Sequence, residues 1–134
     1  MCDMDAMRQD IRGVAESYGL TFVVQFGSTA RGDAGPMSDT DVLIGTTAPL
    51  SPHDEAALRA DLSHVLHVPE HTLDLFYAEQ ASGLLVTRAI AEGTVLYGDP
   101  GAVRRMQLRA WRRMQTEAKF RENRSWYVRH EFAT

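Results

Sequence analysis

The stretch VVQFGSTARGDAGPMSDTDVLIG, residues 23–45, decides the fold of this chain. The run of β-branched and aromatic residues before its first glycine predicts a buried strand over Leu20–Phe26. Residues 27–36 are rich in Gly and other turn formers, which predicts a loop, and the apolar run DVLI predicts a second strand over residues 41–44. The sequence therefore predicts two strands that flank one polar loop.

The same stretch groups residues that suit phosphate and metal binding. Gly27 and Ser28 end the first strand, where a glycine lets a ligand approach the backbone and free N–H and hydroxyl groups can donate to phosphate oxygens. Asp39 and Asp41 are two residues apart, so their carboxylates point the same way, and Asp74 adds a third carboxylate from another predicted strand. Neighbouring carboxylates repel unless a cation lies between them, so the pattern predicts a divalent metal site of the kind that phosphoryl and nucleotidyl transfer need.

The remaining periodicities predict helices that alternate with short strands. Apolar residues at helical spacing predict a first helix that ends at Gly19, and Ser51-Pro52 has the residue types of a helix start. The further predicted elements are a strand over 72–77, a helix ended by Gly93, a strand over 94–97 and a helical tail from Ala102. The predicted order is α-β-β-α-β-α-β-α, an α/β (α+β) fold with a small mixed sheet flanked by helices.

Composition places the chain among globular proteins of one domain. With 134 residues, 44% hydrophobic and 24% charged, it can bury a core and is unlike disordered chains. A single cysteine excludes an intrachain disulfide and favours a reducing compartment. The acidic start MCDMDAMRQD does not resemble a signal peptide, and no apolar stretch has membrane-spanning length, so we expect a cytoplasmic protein without a membrane partner.

Charge is distributed unevenly along the chain. Residues 1–100 carry 5 Arg and 15 Asp plus Glu, a net −10, whereas residues 101–134 carry 9 Lys plus Arg and 3 Glu, a net +6. The chain is therefore divided into a core, 1–100, and a basic, aromatic helical tail, 101–134. The tail can dock on its own core or contact a charged partner. The residues that favour a contact role are Arg104, Arg105, Arg109, Arg112, Arg113, Trp111, Phe120, Trp126 and Tyr127.

FGSTARGD followed by SDTDVLI resembles the G-S-x10-D-x-D signature of the DNA polymerase beta-like nucleotidyltransferases. Within that superfamily the short chain is similar to the minimal nucleotidyltransferases (MNT), antitoxins that pair with a helical HEPN toxin. The resemblance covers roughly residues 10–100, including TLDLFYA and AIAEGTVLYGD, and is only general in the tail. It implies the polymerase beta-like fold with a C-terminal helical tail.

The resemblance also implies a role for each matching residue. Gly27 and Ser28 match the triphosphate-binding positions, and Arg31 matches an arginine of the same loop that can touch phosphate. Asp39 and Asp41 match the magnesium ligands. Asp74 matches the third carboxylate, which ligates metal and orients or deprotonates the acceptor hydroxyl. The implied reaction is transfer of AMP from ATP to a tyrosine hydroxyl of a cognate HEPN ribonuclease toxin, which neutralises the toxin.

Two other functions remain open at this point. The chain could be a non-catalytic antitoxin that occludes its toxin, or it could transfer a nucleotide to a small acceptor such as an aminoglycoside, although such relatives generally carry a further helical domain. Nucleic acid is not expected as a direct substrate, because a core of net −10 repels a polyanion. A transition-metal site at His64, His67 and His71 is not favoured, because Pro69 interrupts the segment and no Cys completes a ligand set.

Overall fold

The computed structural model describes residues 3–27 and 39–132, and side chains over 5–27 and 39–119. Within these residues the predicted order of helices and strands is confirmed. The helices are α1 (Asp3–Tyr18), α2 (Pro52–Leu66), α3 (Gly83–Glu92) and α4 (Pro100–Phe132), and a 3-10 turn covers Glu70–Thr72. The strands are β1 (Leu20–Phe26), β2 (Thr40–Thr46), β3 (Leu73–Tyr77) and β4 (Thr94–Gly98).

The four strands form one mixed sheet in the order β3-β2-β1-β4. β1 is antiparallel to both β2 and β4, whereas β2 and β3 are parallel. A parallel pair needs a crossover connection, and α2 provides it between β2 and β3. The predicted α+β fold with a small mixed sheet is therefore confirmed.

Alternation along the strands divides the apolar side chains between two cores, one on each face of the sheet. α1 and α2 cover the first face, and α3 with the start of α4 covers the second. Helices thus shield both faces of the sheet from solvent. The buried residues of the first core are Ile11, Ala15, Leu20, Val23, Val42, Ile44, Leu58, Leu62, Leu73 and Leu96; those of the second are Phe22, Val24, Leu43, Ala78, Val86, Ala89, Met106 and Ala110.

Local signals set most of the element ends. Gly19 follows α1 with a φ of 69°, in the left-handed region that glycine occupies without strain. The Ser51 hydroxyl accepts a hydrogen bond from the Asp54 N–H at 3.1 Å, which makes Ser51 the N-cap of α2 as predicted. None of the helices in the described part of the chain is long and apolar enough to cross a membrane.

Several predicted boundaries were wrong by one or two residues. β2 extends to Thr46 because Gly45 and Thr46 continue the pairing with β1. β3 begins at Leu73 rather than residue 72, since residues 70–72 form the 3-10 turn. The tail helix starts at Pro100 rather than Ala102, because the Asp99 carboxylate accepts a hydrogen bond from the Ala102 N–H at 3.1 Å and so caps the helix.

Candidate active site

Two of the predicted carboxylates lie side by side on neighbouring strands. The parallel register of β2 and β3 pairs Asp41 directly with Asp74, and their side chains share a hydrogen bond. Asp41 is half-buried, whereas Asp74 is exposed. Leu43 and Phe76 follow them on the same face, which places the carboxylates at one end of the second core. The sequence pattern placed these residues on two strands, and the register brings them together.

Asp39 lies at the mouth of the same site. It is exposed and immediately precedes β2. Burial raises the pKa of Asp41, and the negative charges of Asp74 and Asp39 raise it further, as does the hydrogen bond that protonated Asp41 donates to the Asp74 carboxylate. Asp74 and Asp39 therefore both act electrostatically on Asp41.

Gly27 fits closely against Asp41. Its φ is 89°, a conformation that side chains other than glycine rarely adopt. A Cβ atom built on Gly27 would lie 2.5 Å from the Asp41 Oδ2 atom and 3.3 Å from its Cγ atom. The glycine therefore leaves room for the Asp41 carboxylate itself, in addition to any ligand. The sequence indicated a close backbone approach here but not that the approaching group belongs to the chain.

Three supports of the site were missed by the sequence analysis. Phe26 pairs across the strands with Asp41, and its ring lies 5.7 Å from the ring of Phe76, centroid to centroid, at an angle of 52°. This aromatic contact packs the sheet directly beneath the carboxylates. On the other face, the Arg59 guanidinium of α2 donates a hydrogen bond to the Leu73 carbonyl oxygen, next to Asp74. In the sequence, only the dipeptide Phe26-Gly27 at the end of β1 gave any indication of these contacts.

Two predicted phosphate-binding residues, Ser28 and Arg31, lie outside the described residues. Their roles stay predictions. Thr40, between the two aspartates, is almost fully buried and pairs with Leu73. Its side chain therefore points to the face opposite the carboxylates, as the alternation of a strand requires.

The carboxylates suit a hard divalent cation. Within residues 3–27 and 39–132, no group of three or more His, Cys, Asp or Glu side chains is arranged to hold a metal ion by itself. This finding also leaves His64, His67 and His71 without a site. Mg²⁺ commonly takes one or two protein carboxylates and completes its shell with water and substrate phosphates. Asp41 fits that demand, because a cation would offset the burial and the repulsion by Asp74 and Asp39 that raise its pKa.

Solved structures of similar fold are chains from toxin–antitoxin complexes. One comes from a toxin–antitoxin crystallised with AMP-PNP, at a TM-score of 0.73 and 20% identity over 90% of this chain and 97% of that one. A second comes from the complex of tri-AMPylated Shewanella oneidensis HEPN toxin with MNT antitoxin, at a TM-score of 0.68 and 17% identity over 93% and 98%. A third comes from the toxin–antitoxin MntA-HepT, at a TM-score of 0.67 and 17% identity over 92% and 97%. At these identities the likeness is one of fold.

Comparison of sequences gives the family. No curated protein matches this chain significantly. The family model described as "Polymerase beta, Nucleotidyltransferase" matches residues 9–100, which include all four strands, Gly27 and the three carboxylates. The chain therefore belongs to the polymerase beta nucleotidyltransferase family.

Proposed function

We propose that this protein is an antitoxin that transfers AMP from ATP to a tyrosine hydroxyl of a cognate HEPN ribonuclease toxin. The observation that carries the proposal is the direct pairing of Asp41 with Asp74, against which Gly27 is packed. This arrangement lies in a nucleotidyltransferase domain whose structural neighbours were crystallised in toxin–antitoxin complexes, one with AMP-PNP and one with an AMPylated toxin. That likeness covers 90% and 93% of this chain in the two structures.

In the proposed reaction a carboxylate of this chain takes the proton of the acceptor. The acceptor hydroxyl donates a hydrogen bond to a carboxylate oxygen of Asp74, which lies exposed at the edge of the site. A bond forms between the hydroxyl oxygen and the α-phosphorus of ATP, the bond from that phosphorus to the bridging oxygen breaks, and pyrophosphate leaves. The proton moves to the Asp74 oxygen. Gly27 and Ser28 position the triphosphate.

Asp39 and Asp41, with Asp74 beside them, would hold Mg²⁺ in this site. When bound, the cation supplies positive charge that stabilises the phosphate oxygens and the leaving pyrophosphate. Asp41 contributes through its position: a half-buried carboxylate held between Gly27 and Asp74 has few alternative conformations, so its oxygens are oriented before any ligand binds.

Labelled ATP tests the proposal. The purified chain is incubated with α-labelled ATP, magnesium and the purified product of the neighbouring reading frame. We expect label on the partner and restored growth when both are expressed together. In the Asp39→Ala plus Asp41→Ala variant both should disappear. Asp5→Ala plus Asp10→Ala is the matched control, since it removes two exposed carboxylates from α1 and should leave labelling within about twofold of wild type.

The possible outcomes separate the candidate functions. Inhibition of the partner that survives the Asp39→Ala plus Asp41→Ala change without any label would favour the non-catalytic antitoxin. Label that appears on an aminoglycoside and not on the protein would favour a small acceptor. The site of label, mapped by mass spectrometry, decides whether the acceptor is a tyrosine.

A further inference from the structure

Helix α4 has an apolar stripe on the side that faces away from the chain. Arg104, Leu108, Trp111 and Gln115 follow one another at steps of four, three and four, so they lie on one face of the helix. The side chains of Leu108 and Trp111 are 51% and 52% exposed. Single exposed leucines are ordinary, but an exposed Trp next to an exposed Leu on a regular helix marks a contact surface.

The opposite face of α4 is packed tightly against this chain. Met106 and Ala110 are buried in the second core, and Gly83 at the start of α3 approaches the helix so closely that a Cβ there would lie 2.5 Å from the Ala110 carbonyl oxygen. The Glu117 carboxylate accepts a hydrogen bond from the Gly83 N–H at 2.9 Å. The helix is therefore fixed from its inner side, and its outer stripe is held in one orientation.

The arginines of α4 fall into two groups. The Arg109 guanidinium pairs with the Glu79 carboxylate at 2.8 Å. Arg113 donates hydrogen bonds to the carbonyl oxygens of Ala78 at 3.1 Å and Ala81 at 2.7 Å. These two arginines bind the segment between β3 and α3, so part of the basic tail serves the chain's own fold.

The second group has no such partner. The guanidinium groups of this second group make no hydrogen bond or ion pair within the described ranges, and all three residues, Arg104, Arg105 and Arg112, are exposed. Arg104 lies on the same stripe as Leu108 and Trp111, and Arg112 lies beside it. The apolar stripe is thus bordered by positive charge that nothing in the described part of the chain neutralises.

We propose that this outer face of α4, formed by Arg104, Leu108, Trp111, Arg112 and Gln115, is the docking surface for the protein acceptor. The occupant is a partner with a hydrophobic groove rimmed by carboxylates, because such a groove complements both the Leu–Trp anchor and the free guanidinium groups. The proposal rests on the proposed function for the identity of that partner. It adds where on this chain the partner binds, and through which chemistry.

The place of this surface in the fold separates docking from catalysis. Met106 of α4 packs in the same core as Phe22, near the start of β1, whereas Asp41 pairs with Phe26 at the end of that strand. Four residues of a strand span about 13 Å. An acceptor that contacts both α4 and the carboxylates must therefore extend along β1, which favours a macromolecule. Substitutions on the outer face of α4 should therefore weaken docking and leave nucleotide binding unchanged.

Binding measurements on the purified chain and the product of the neighbouring reading frame test the proposal. Titration calorimetry compares wild type with Leu108→Ala plus Trp111→Ala, for which we expect Kd to rise at least about 100-fold, as for loss of a central anchor. Leu84→Ala is the matched control, because Leu84 is 43% exposed but lies on α3, and it should change Kd less than about threefold. Arg104→Ala plus Arg112→Ala should slow association and flatten its salt dependence.

Each outcome decides for or against the docking surface. A Leu108→Ala plus Trp111→Ala variant that binds the partner as wild type does, or a wild-type chain that does not bind it, overturns the proposal. So does a wild-type chain that is dimeric on its own and becomes monomeric in the variant, since the face would then serve self-association. Binding of a fluorescent ATP analogue verifies that the variant is folded. If the partner binds through the outer face of α4 but receives no label from ATP, the docking surface is supported and the proposed reaction is contradicted.

Discussion

Carboxylates occur in two contrasting settings on opposite faces of the sheet. On the face of α1 and α2, the Asp61 carboxylate accepts a hydrogen bond from the Tyr18 hydroxyl at 2.7 Å. On the other face, the nearest hydrogen-bonding neighbour of Asp41 is a second carboxylate, Asp74. A neutral hydroxyl can donate a hydrogen bond to a carboxylate at neutral pH, whereas two carboxylates that lie together need a proton or a cation between them. The first pair stabilises the fold, and the second is the pair to which we assign the proposed cation site.

The pKa directions describe the same contrast. The hydrogen bond to Asp61 is the main cause that raises the pKa of Tyr18 to about 12, and burial followed by the hydrogen bond to Glu55 raises the pKa of Tyr77 to about 12. These phenols stay neutral over the physiological range. The pKa of Asp41 is also raised, first by burial and then by Asp74 and Asp39, so its charged form is less favoured than that of a freely exposed aspartate.

The largest expected effect comes from removal of the charge at Asp41. In Asp41→Asn we expect the transfer rate to fall about 1,000-fold or more, which corresponds to about 4 kcal/mol of barrier, because the metal-binding oxygen is lost. The melting temperature of the metal-free protein should rise by about 2–5 °C, since the like-charge repulsion disappears. Labelling kinetics and thermal unfolding in EDTA measure the two effects. Asp10→Asn, an exposed change on α1, should alter neither.

The sign of the pH dependence follows from the direction of the shift. A folded-state pKa above the unfolded value adds stability below the unfolded pKa, and that stability is lost as pH rises through the folded pKa. Metal-free protein should therefore lose stability from about pH 4 upward until Asp41 is ionised. If the free energies of unfolding of wild type and of Asp41→Asn changed in parallel over that pH range, the result would contradict an unfavourable charge at Asp41.

The next largest effect is expected from a substitution that creates a cavity in the first core. Leu62 of α2 is fully buried, and Leu62→Ala should lower the free energy of unfolding by about 3 kcal/mol. The carboxylate site lies on the opposite face of the sheet, so binding of Mg-ATP to the folded fraction should stay within about threefold of wild type. Urea unfolding gives the stability and titration gives the affinity. A selective loss of nucleotide binding would mean that the two faces are more strongly coupled than the packing indicates.

Two glycines offer a matched pair of substitutions. Gly27→Ala should cost roughly 2 kcal/mol and reduce transfer, because its φ is positive and its Cβ would meet the Asp41 carboxylate. Gly13, exposed in the middle of α1, has no atom within 4 Å of the corresponding position. Gly13→Ala should therefore stabilise the protein by about 0.5–1 kcal/mol. Equal effects from the two changes in chemical unfolding would refute the close fit at Gly27.

The smallest effect is expected from the loss of a hydrogen bond between a tyrosine hydroxyl and a carboxylate. Tyr77→Phe removes the 2.9 Å hydrogen bond to Glu55 and should lower the free energy of unfolding by about 1 kcal/mol at pH 8. The wild-type advantage is fully present below pH 10 and is lost as pH rises towards 12, since the folded pKa lies above the unfolded one. Denaturant unfolding at several pH values would show the two curves converge; curves that stay parallel would contradict this assignment.

Much of the fold could be predicted because its signals are local. The Gly and Pro residues that bound the strands, and Ser51 as a cap, lie next to the elements that they limit. Alternation over LDLFY placed Leu73 and Asp74 on opposite faces, and the structure agrees. Such signals depend on the chain within a few residues, so a single sequence carries them.

The contacts that assemble the site could not be predicted in the same way. The pairing of Asp41 with Asp74 depends on the register of two strands separated by a helix, and packing of that helix sets the register. The inward hydrogen bonds of Arg113 are equally non-local, so the sequence alone left the basic tail with either of two roles. Of the five arginines of α4 whose side chains the structure describes, Arg109 and Arg113 bind other parts of the chain and the other three do not.

The crossover between β2 and β3 also determines at which stage of folding the site forms. Asp41 and Asp74 are far apart along the chain, and they meet only after α2 has closed the loop between their strands. Long-range closure of this kind is slow compared with formation of local structure. A growing polypeptide that has not reached residue 77 carries the first aspartates but not the assembled pair. The carboxylate pair therefore forms only after β2 and β3 have paired.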